Sequence, residues 1–492
     1  VVRGYVQHLQ FNAPLPGDVE VDKSFRLAPN KIAKVRLISE WELETLCREA
    51  IIHAKEMDSC PETFRRWSYF ARAINRIKCI EGLIAGKFIN PNNTLVELHR
   101  IAHRQFPWQF MRPNQILMTR YFKIYRHPPL DQIVTKVFGT DIQALYLTGL
   151  AFLGVYLENI ALFYPPNIEI EGVTLELLQK FIDHFSLPVG TLREKLQKEQ
   201  EMNDKFFYAY HSLRAYPLIR MNYQEHDSLV CPLPTLLFWR LTQGVYYEIC
   251  KADGFAKAFG DSFQNYVGEV IKMAITNAKI KVYPEEEYCV GKHRKNTVDW
   301  IFAEEDAALF IETKTKRLIQ DAKVEVSSEK ALKEELDKMA DFVTQVYKTI
   351  KDYQENQYPS FKYQKQIAIF PLVVTLEDWL AFGPKVLGHI NEGVKNRLSE
   401  EGLPSSWLEE MPYSICAVHE LEKTVQIINI EGIKRVMEPK VFDKEKKEWS
   451  LGPYAVGEFA EAAKSVKFLF PEDFDRIFPE GIRNKLHSQD VL

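Results

Sequence analysis

The stretch from Asn296 to Arg317, NTVDWIFAEEDAALFIETKTKR, decides how the rest of the chain is read. Val298, Trp300 and Phe302 alternate with polar or small neighbours, and Ala308 to Ile311 is a short apolar run. Two strands joined by the acidic turn Ala303 to Asp306 account for both features. On this reading Asp299 lies in the first strand, and Glu312, Thr313 and Lys314 end the second.

Side chains at i and i+2 of a strand share a face, so Glu312 and Lys314 are neighbours and an ordinary hairpin register brings Asp299 beside them. Carboxylates crowded at the end of a sheet are costly unless a cation compensates them. Magnesium, or manganese, is the expected cation, since it takes one or two carboxylates and completes its shell with water and phosphate oxygens. Asp299 and Glu312 would supply the carboxylates and the Thr313 carbonyl a third ligand. Lys314 would then stand next to the attacking water.

Asp299 followed by Glu312-Thr313-Lys314 after a hydrophobic strand resembles the PD-(D/E)xK nuclease superfamily, with its restriction-endonuclease-like fold. The flanking segments follow the order that family leads one to expect. A helix from Phe259 to Ala278 carries Glu269, and a strand-like segment runs from Lys279 to Val290. After the motif come a charged amphipathic helix, about Glu329 to Tyr353, and the apolar strand Gln366 to Thr375. The resemblance covers roughly a third of the chain. It implies an α/β core with a mixed sheet flanked by helices, magnesium-dependent phosphodiester hydrolysis by Asp299, Glu312 and Lys314, and Glu269 as a further acid. DNA is the default substrate, with RNA left open. Val298 stands where the signature proline would precede the aspartate. Gln345 could face the site as a glutamine does in some relatives, although a surface position is the simpler reading.

The chain has 492 residues, 46% of them hydrophobic and 12% aromatic, enough for two to four cored domains. A formal charge of −4 gives no global basic field, so any polyanion site must be local. Seven scattered cysteines without a CxxC pair point to a reducing, cytoplasmic setting and away from a zinc or disulfide framework. Phosphate-binding loops of the GxxxxGK[ST] type, GxSxG elbows and HExxH pairs do not occur. The chain opens on Val1 without a secretory pattern, so processing or a boundary within a longer chain is expected. The most apolar stretch, Ala144 to Leu157, falls short of the ~20 residues that cross a bilayer and reads as a buried helix.

Residues 1–205 read as a mainly helical sensing or positioning domain, beginning with a capping box at Ser39 and Glu42. Between Phe64 and Arg126 cations and aromatic residues interleave, with Arg65, Arg66, Arg72 and Arg76 foremost. Such a stretch suits phosphate contact and base stacking. It equally suits a helical core with a charged outer face. Lys316 and Arg317, just beyond the motif, are further candidates for nucleic-acid contact. Arg120 and His127 have a spacing compatible with HEPN-type ribonucleases, but Pro128-Pro129 would end the helix such a pair needs. Residues 206–250 read as a connector, 251–400 as the nuclease-like core and 401–492 as an α/β extension. Along the chain, Ile142 to Tyr164, Leu376 to Trp379 and Val386 to Leu398 read as helical, Tyr413 to Val418 and Val425 to Ile430 as strands, and Lys440 to Lys447 as an exposed loop. The whole is an α+β protein.

Nucleases with large helical extensions resemble components of prokaryotic defence against phage and plasmids. That likeness implies restrained activity and a second subunit or a homo-oligomer. The competing reading is a nuclease-fold binding subunit without catalysis that recruits a partner effector.

Overall fold

Strong local signals mark the helices of the first two hundred residues, and the computed structural model places helices there. It describes residues 38–54, 67–88, 94–223, 225–317, 330–381 and 383–483. At the start of α1 (Glu40–His53) the N–H of Ser39 donates to Oε2 of Glu42 at 2.8 Å, the backward half of the expected capping box. Four helices follow: α2 (Trp67–Phe88), α3 (Thr94–Phe110), α4 (Gln115–Tyr125) and α5 (Pro128–Phe138). The pair Pro128-Pro129 opens α5, because proline suits a first turn whose N–H groups have no helical partner. Asp141 caps α6 (Ile142–Glu158), accepting from the Ala144 N–H at 2.8 Å. Leu145, Tyr146, Phe152 and Tyr156 bury this helix, which stops at Glu158 rather than running on to Tyr164.

Beyond α6 come β1 (Ala161–Phe163), α7 (Leu175–Phe185), β2 (Ser186–Pro188) and α8 (Val189–Glu199). The expected connector forms a hairpin of β3 (Leu218–Tyr223) and β4 (His226–Val230), then α9 (Pro234–Leu241). Together the strands make a sheet of order β1-β4-β3-β2 within a mainly helical unit. Contacts divide the chain into two units, one running to Phe255 and taking in the end from Glu472, the other running from Ala256 to Pro471. Residues 206–250 thus pack with the helices before them, and 401–471 with the motif-bearing part.

The second unit is built in the order α10 (Phe255–Ala274), β5 (Lys281–Pro284), β6 (Glu287–Val290), β7 (His293–Asn296), β8 (Trp300–Ala303), β9 (Ala307–Lys314). Then come α11 (Lys330–Gln354), β10 (Ala368–Thr375), α12 (Pro384–Glu400), β11 (Ser414–Ala417), α13 (Val418–Glu431), α14 (Ile433–Phe442) and α15 (Leu451–Glu458). Five strands form a mixed sheet, β11-β10-β9-β8-β5, in which β5, β8 and β9 run antiparallel and β9, β10 and β11 parallel. Residues of both parities are buried along β8 and the first six positions of β9, which places cover on both faces of the sheet. Leu336, Met339, Val343, Tyr347 and Ile350 supply the apolar stripe of α11 at helical spacing, and α11 packs against β9 and β10.

Four sequence expectations change here. The strand-like segment Lys279 to Val290 is two strands, of which only β5 joins the main sheet; β6 pairs with β7 in a separate ribbon. Val425 to Ile430 is helical, inside α13, where Val425, Ile427 and Ile428 are buried at helical spacing and Ile430 is exposed. Leu376 to Trp379, expected as a helix, lies in an irregular loop after β10. Lys440, expected in an exposed loop, is buried in α14, where its ammonium donates to the Lys447 carbonyl at 3.1 Å.

Among the described residues no single helix is long and apolar enough to cross a membrane. The consecutive helices α5 and α6 reach that length only together, across a bend of 60°.

Candidate active site

The register of β8 and β9 pairs Trp300 with Ile311, and one further step sets Asp299 opposite Glu312. Asp299 therefore sits immediately before β8 rather than within it. Its position is fixed by β9, since the N–H and hydroxyl of Thr313 both donate to Oδ2 of Asp299, at 2.7 and 2.5 Å. Lys314 donates to Oε1 of Glu312 at 2.7 Å and to Oε1 of Gln345, on α11, at 2.9 Å. The same ammonium lies 5.2 Å from the centre of the Phe342 ring. Asp299, Glu312 and Lys314 thus meet on one side of the sheet, where its strand direction changes from antiparallel to parallel.

An open cleft of about 1160 Å³ borders the group, lined by Asp299, Glu312, Glu285, Gln345, Lys348 and Arg397 among others. Glu312 is 6% exposed. Burial, then the charge of Asp299, pushes its carboxyl up to about 7, against the pull of Lys314. Burial also raises Asp299, opposed by the two Thr313 hydrogen bonds and reinforced by the charge of Glu285. Glu285 is itself held by Gln264 at 2.8 Å and Asn296 at 2.6 Å.

Among the described residues no three His, Cys, Asp or Glu side chains converge so as to hold a metal ion by themselves. Asp299 and Glu312 are a pair, which is the number of carboxylates magnesium commonly takes. Thr313 occupies one oxygen of Asp299 and Lys314 one oxygen of Glu312, and among the described residues the second oxygen of each has no hydrogen-bond partner. Hard oxygen donors that resist ionisation side by side fit a divalent cation. Thr313 contributes its side chain to Asp299, and its carbonyl remains a candidate ligand.

The other expected residues fare differently. Glu269 is exposed on α10 and does not line the cleft. Arg317 is buried and paired with Glu377 at 3.1 Å, which takes it away from any phosphate; Lys316 is partly exposed, its ammonium 3.9 Å from Glu335. Arg65 and Arg66 lie outside the described residues. Arg72 and Arg76 are exposed on α2, with Arg72 over the Tyr69 ring at 4.6 Å.

Most of the basic stretch around them is used internally. Phe70, Trp108, Tyr121, Phe122 and Tyr125 are core residues, and Arg100 and Arg104 are buried. Arg104 pairs with Glu81, Lys78 with Glu42 at 3.4 Å, Arg112 with Glu40 at 3.4 Å and Lys123 with Asp473 at 2.7 Å. Those aromatic faces are closed to bases.

Sequence reasoning missed Glu285 and Asn296; Gln345 is exposed, as the simpler reading had it, and also faces the site, where it holds Lys314. The run Glu285-Glu286-Glu287 was the available signal for the first. Gln345 lies one turn after Asp341 and one before Lys348, so the cleft-facing side of α11 is polar at helical spacing. Comparison of the chain with family models, with curated proteins and with solved structures finds no match.

Proposed function

We propose that this protein hydrolyses phosphodiester bonds of nucleic acid with a divalent cation held by Asp299 and Glu312, in the manner of the PD-(D/E)xK nucleases that its motif resembles. The observation that carries the reading is the convergence of Asp299, Glu312 and Lys314 beside an open cleft. The succession of α10, three strands of one sheet, α11 and β10 supports it as well, being the order that a restriction-endonuclease-like core would have.

Magnesium bound at this pair would polarise a phosphate oxygen and sharpen the nucleophilicity of water. The chain's own residues supply the rest. Thr313 holds the Asp299 carboxylate in one orientation, so no reorganisation is needed when substrate arrives. Lys314 sits between Glu312 and Gln345, from where its ammonium can turn toward a phosphate and steady the charge that grows there in the transition state. Burial and the charge of Asp299 push the Glu312 carboxyl up to about 7 in the metal-free chain, so a cation bound there would have to displace its proton.

Purified protein incubated with plasmid, linear duplex and total RNA, with magnesium or manganese, tests the reading. Cleavage that disappears in Asp299→Ala and Lys314→Ala, while nucleic-acid binding survives, is the expected result. A wild type that cuts none of the three sinks it and leaves a binding subunit in its place.

A further inference from the structure

The ribbon β6–β7 is inserted between β5 and β8 and belongs to neither of the larger sheets. Its turn is tight: Val290 pairs with His293, leaving Gly291 and Lys292 as the two-residue loop, and Gly291 has φ +60. A two-residue hairpin loop of the kind that follows strand twist needs such a positive φ, which glycine accepts without strain. The tip carries Lys292, His293, Arg294 and Lys295 in succession, all exposed. Acids, Glu285, Glu286 and Glu287, mark the base.

One face of the ribbon is nailed down. The cross-strand neighbours Tyr288 and Lys295 both donate to Oδ2 of Asp352, on α11, at 2.7 Å. The opposite face presents Glu287, Cys289, Arg294 and Asn296, all exposed, since residues alternate along a strand. Asn296 on that face donates to Glu285, whose charge bears on Asp299 and Glu312. Arg294 and Asn296 of the open face, and Lys295 of the anchored one, line the same cleft as Asp299 and Glu312.

We propose that this ribbon is the element that seats the substrate, and that the substrate is duplex DNA; the proposal rests on the phosphodiesterase reading above. A two-stranded β-ribbon fits the major groove of B-form DNA, whereas the A-form groove of duplex RNA is too deep and narrow to admit it. On the ribbon itself the charge order agrees, with cations at the tip and acids at the base where the cation must sit; the rest of the cleft is lined by more carboxylates than cations, so the ribbon tip is where phosphates can be met. At ~3.3 Å per strand residue, the tip reaches at most roughly 20 Å from Asp299, or about six base pairs along the duplex. Arg294 is paired only loosely with Glu287, at 3.6 Å between two exposed side chains, so it is released to a phosphate at little cost.

The test uses the full chain in EDTA, with a labelled duplex DNA and the RNA duplex of the same sequence, titrated across a range of salt. Wild type should bind DNA at least about tenfold tighter than RNA. The double variant Lys292→Ala/Arg294→Ala should lose about tenfold in DNA affinity, with a salt slope shallower by about two. Equal slopes for wild type and the double variant overturn the proposal, as does RNA binding as tight as DNA, or no DNA binding at low salt. The two readings fail separately. Ribbon-dependent DNA binding without cleavage in magnesium would sink hydrolysis alone, while magnesium-dependent cutting that the double variant retains in full would sink the ribbon alone.

Discussion

Lys314 Nζ, on β9, donates to Oε1 of Gln345, on α11, at 2.9 Å across a separation of 31 residues. A strand and a helix that are distant in sequence therefore share the aiming of one ammonium group. Removing that tie should leave the fold intact and the lysine free to swing. Gln345→Ala is expected to lower kcat by about 10- to 100-fold, the range for loss of a group that orients a catalytic one, with KM little changed. A structural role alone would move stability instead. Cleavage kinetics and thermal melting of the variant, with Gln345→Glu as the conservative comparison, separate the two.

Lys314 itself should matter more. Lys314→Ala and Asp299→Ala are each expected to cost about 10²- to 10⁴-fold in magnesium-dependent cleavage. Filter-binding affinity for DNA should stay within about threefold of wild type for the lysine variant if its work is confined to the transition state. A variant that cuts normally removes the residue from the site.

The Glu312 carboxyl, raised to about 7 by burial and by Asp299, sets a pH dependence. Its folded value lies above its unfolded one, so its contribution to stability is fully present below about 4.5 and is lost as pH rises through about 7. Without divalent cation, Glu312→Gln should remove that loss and be more stable than wild type at pH 8, by something of the order of 3 kcal/mol. Urea unfolding at pH 5 and pH 8 reads the difference. The same proton competes with a cation, so magnesium affinity should climb with pH up to about 7 and then level off.

Packing under the site is equally open to test. A Cβ added at Gly268, on α10, would run into the indole ring of Trp300, the residue next to Asp299. Trp300 is held there by its Nε1 donating to the Gln264 carbonyl at 3.2 Å. Gly268→Ala should cost about 1–3 kcal/mol and reduce cleavage at the same time, because the indole can yield only by disturbing the start of β8. Unchanged melting would show that the ring has room to give.

In the first unit, Glu44 is buried on α1 and accepts from Arg214 at 2.5 and 2.7 Å and from Trp108 at 3.3 Å, with His211 3.1 Å away. The guanidinium of Arg214 and the hydrogen bond from His211 outweigh burial and hold this carboxyl well below the usual range. Glu44→Ala strands these partners and should cost about 3–5 kcal/mol, measured by denaturant unfolding.

The hairpin Trp300 to Lys314 was legible in the sequence because alternation, an acidic turn and an apolar run all describe the same two strands. The long helix α11 was legible from its apolar stripe. The ribbon was not, since His293 to Asn296 carry no apolar period at all to mark the strand that pairs with Glu287 to Val290. Val425 to Ile430 misled because a short buried run looks alike in helix and strand. The cations near residue 100 misled for another reason. Arg112, Lys78 and Lys87 meet Glu40, Glu42 and Asp204, which lie far along the chain, and only folding brings these opposite charges together.

The parallel pairing of β9 with β10 carries a consequence for how the protein is made. Lys314 has its full strand setting only when Thr375 lies beside it, after the long excursion through α11. A nascent chain that has cleared the ribosome as far as Lys314 already holds every residue of the proposed hydrolytic motif, yet it lacks both Gln345 and the neighbouring strand β10. On the proposed reading, a product truncated before Gln345 would hold the motif without the helix and strand that set it, and is expected not to cut.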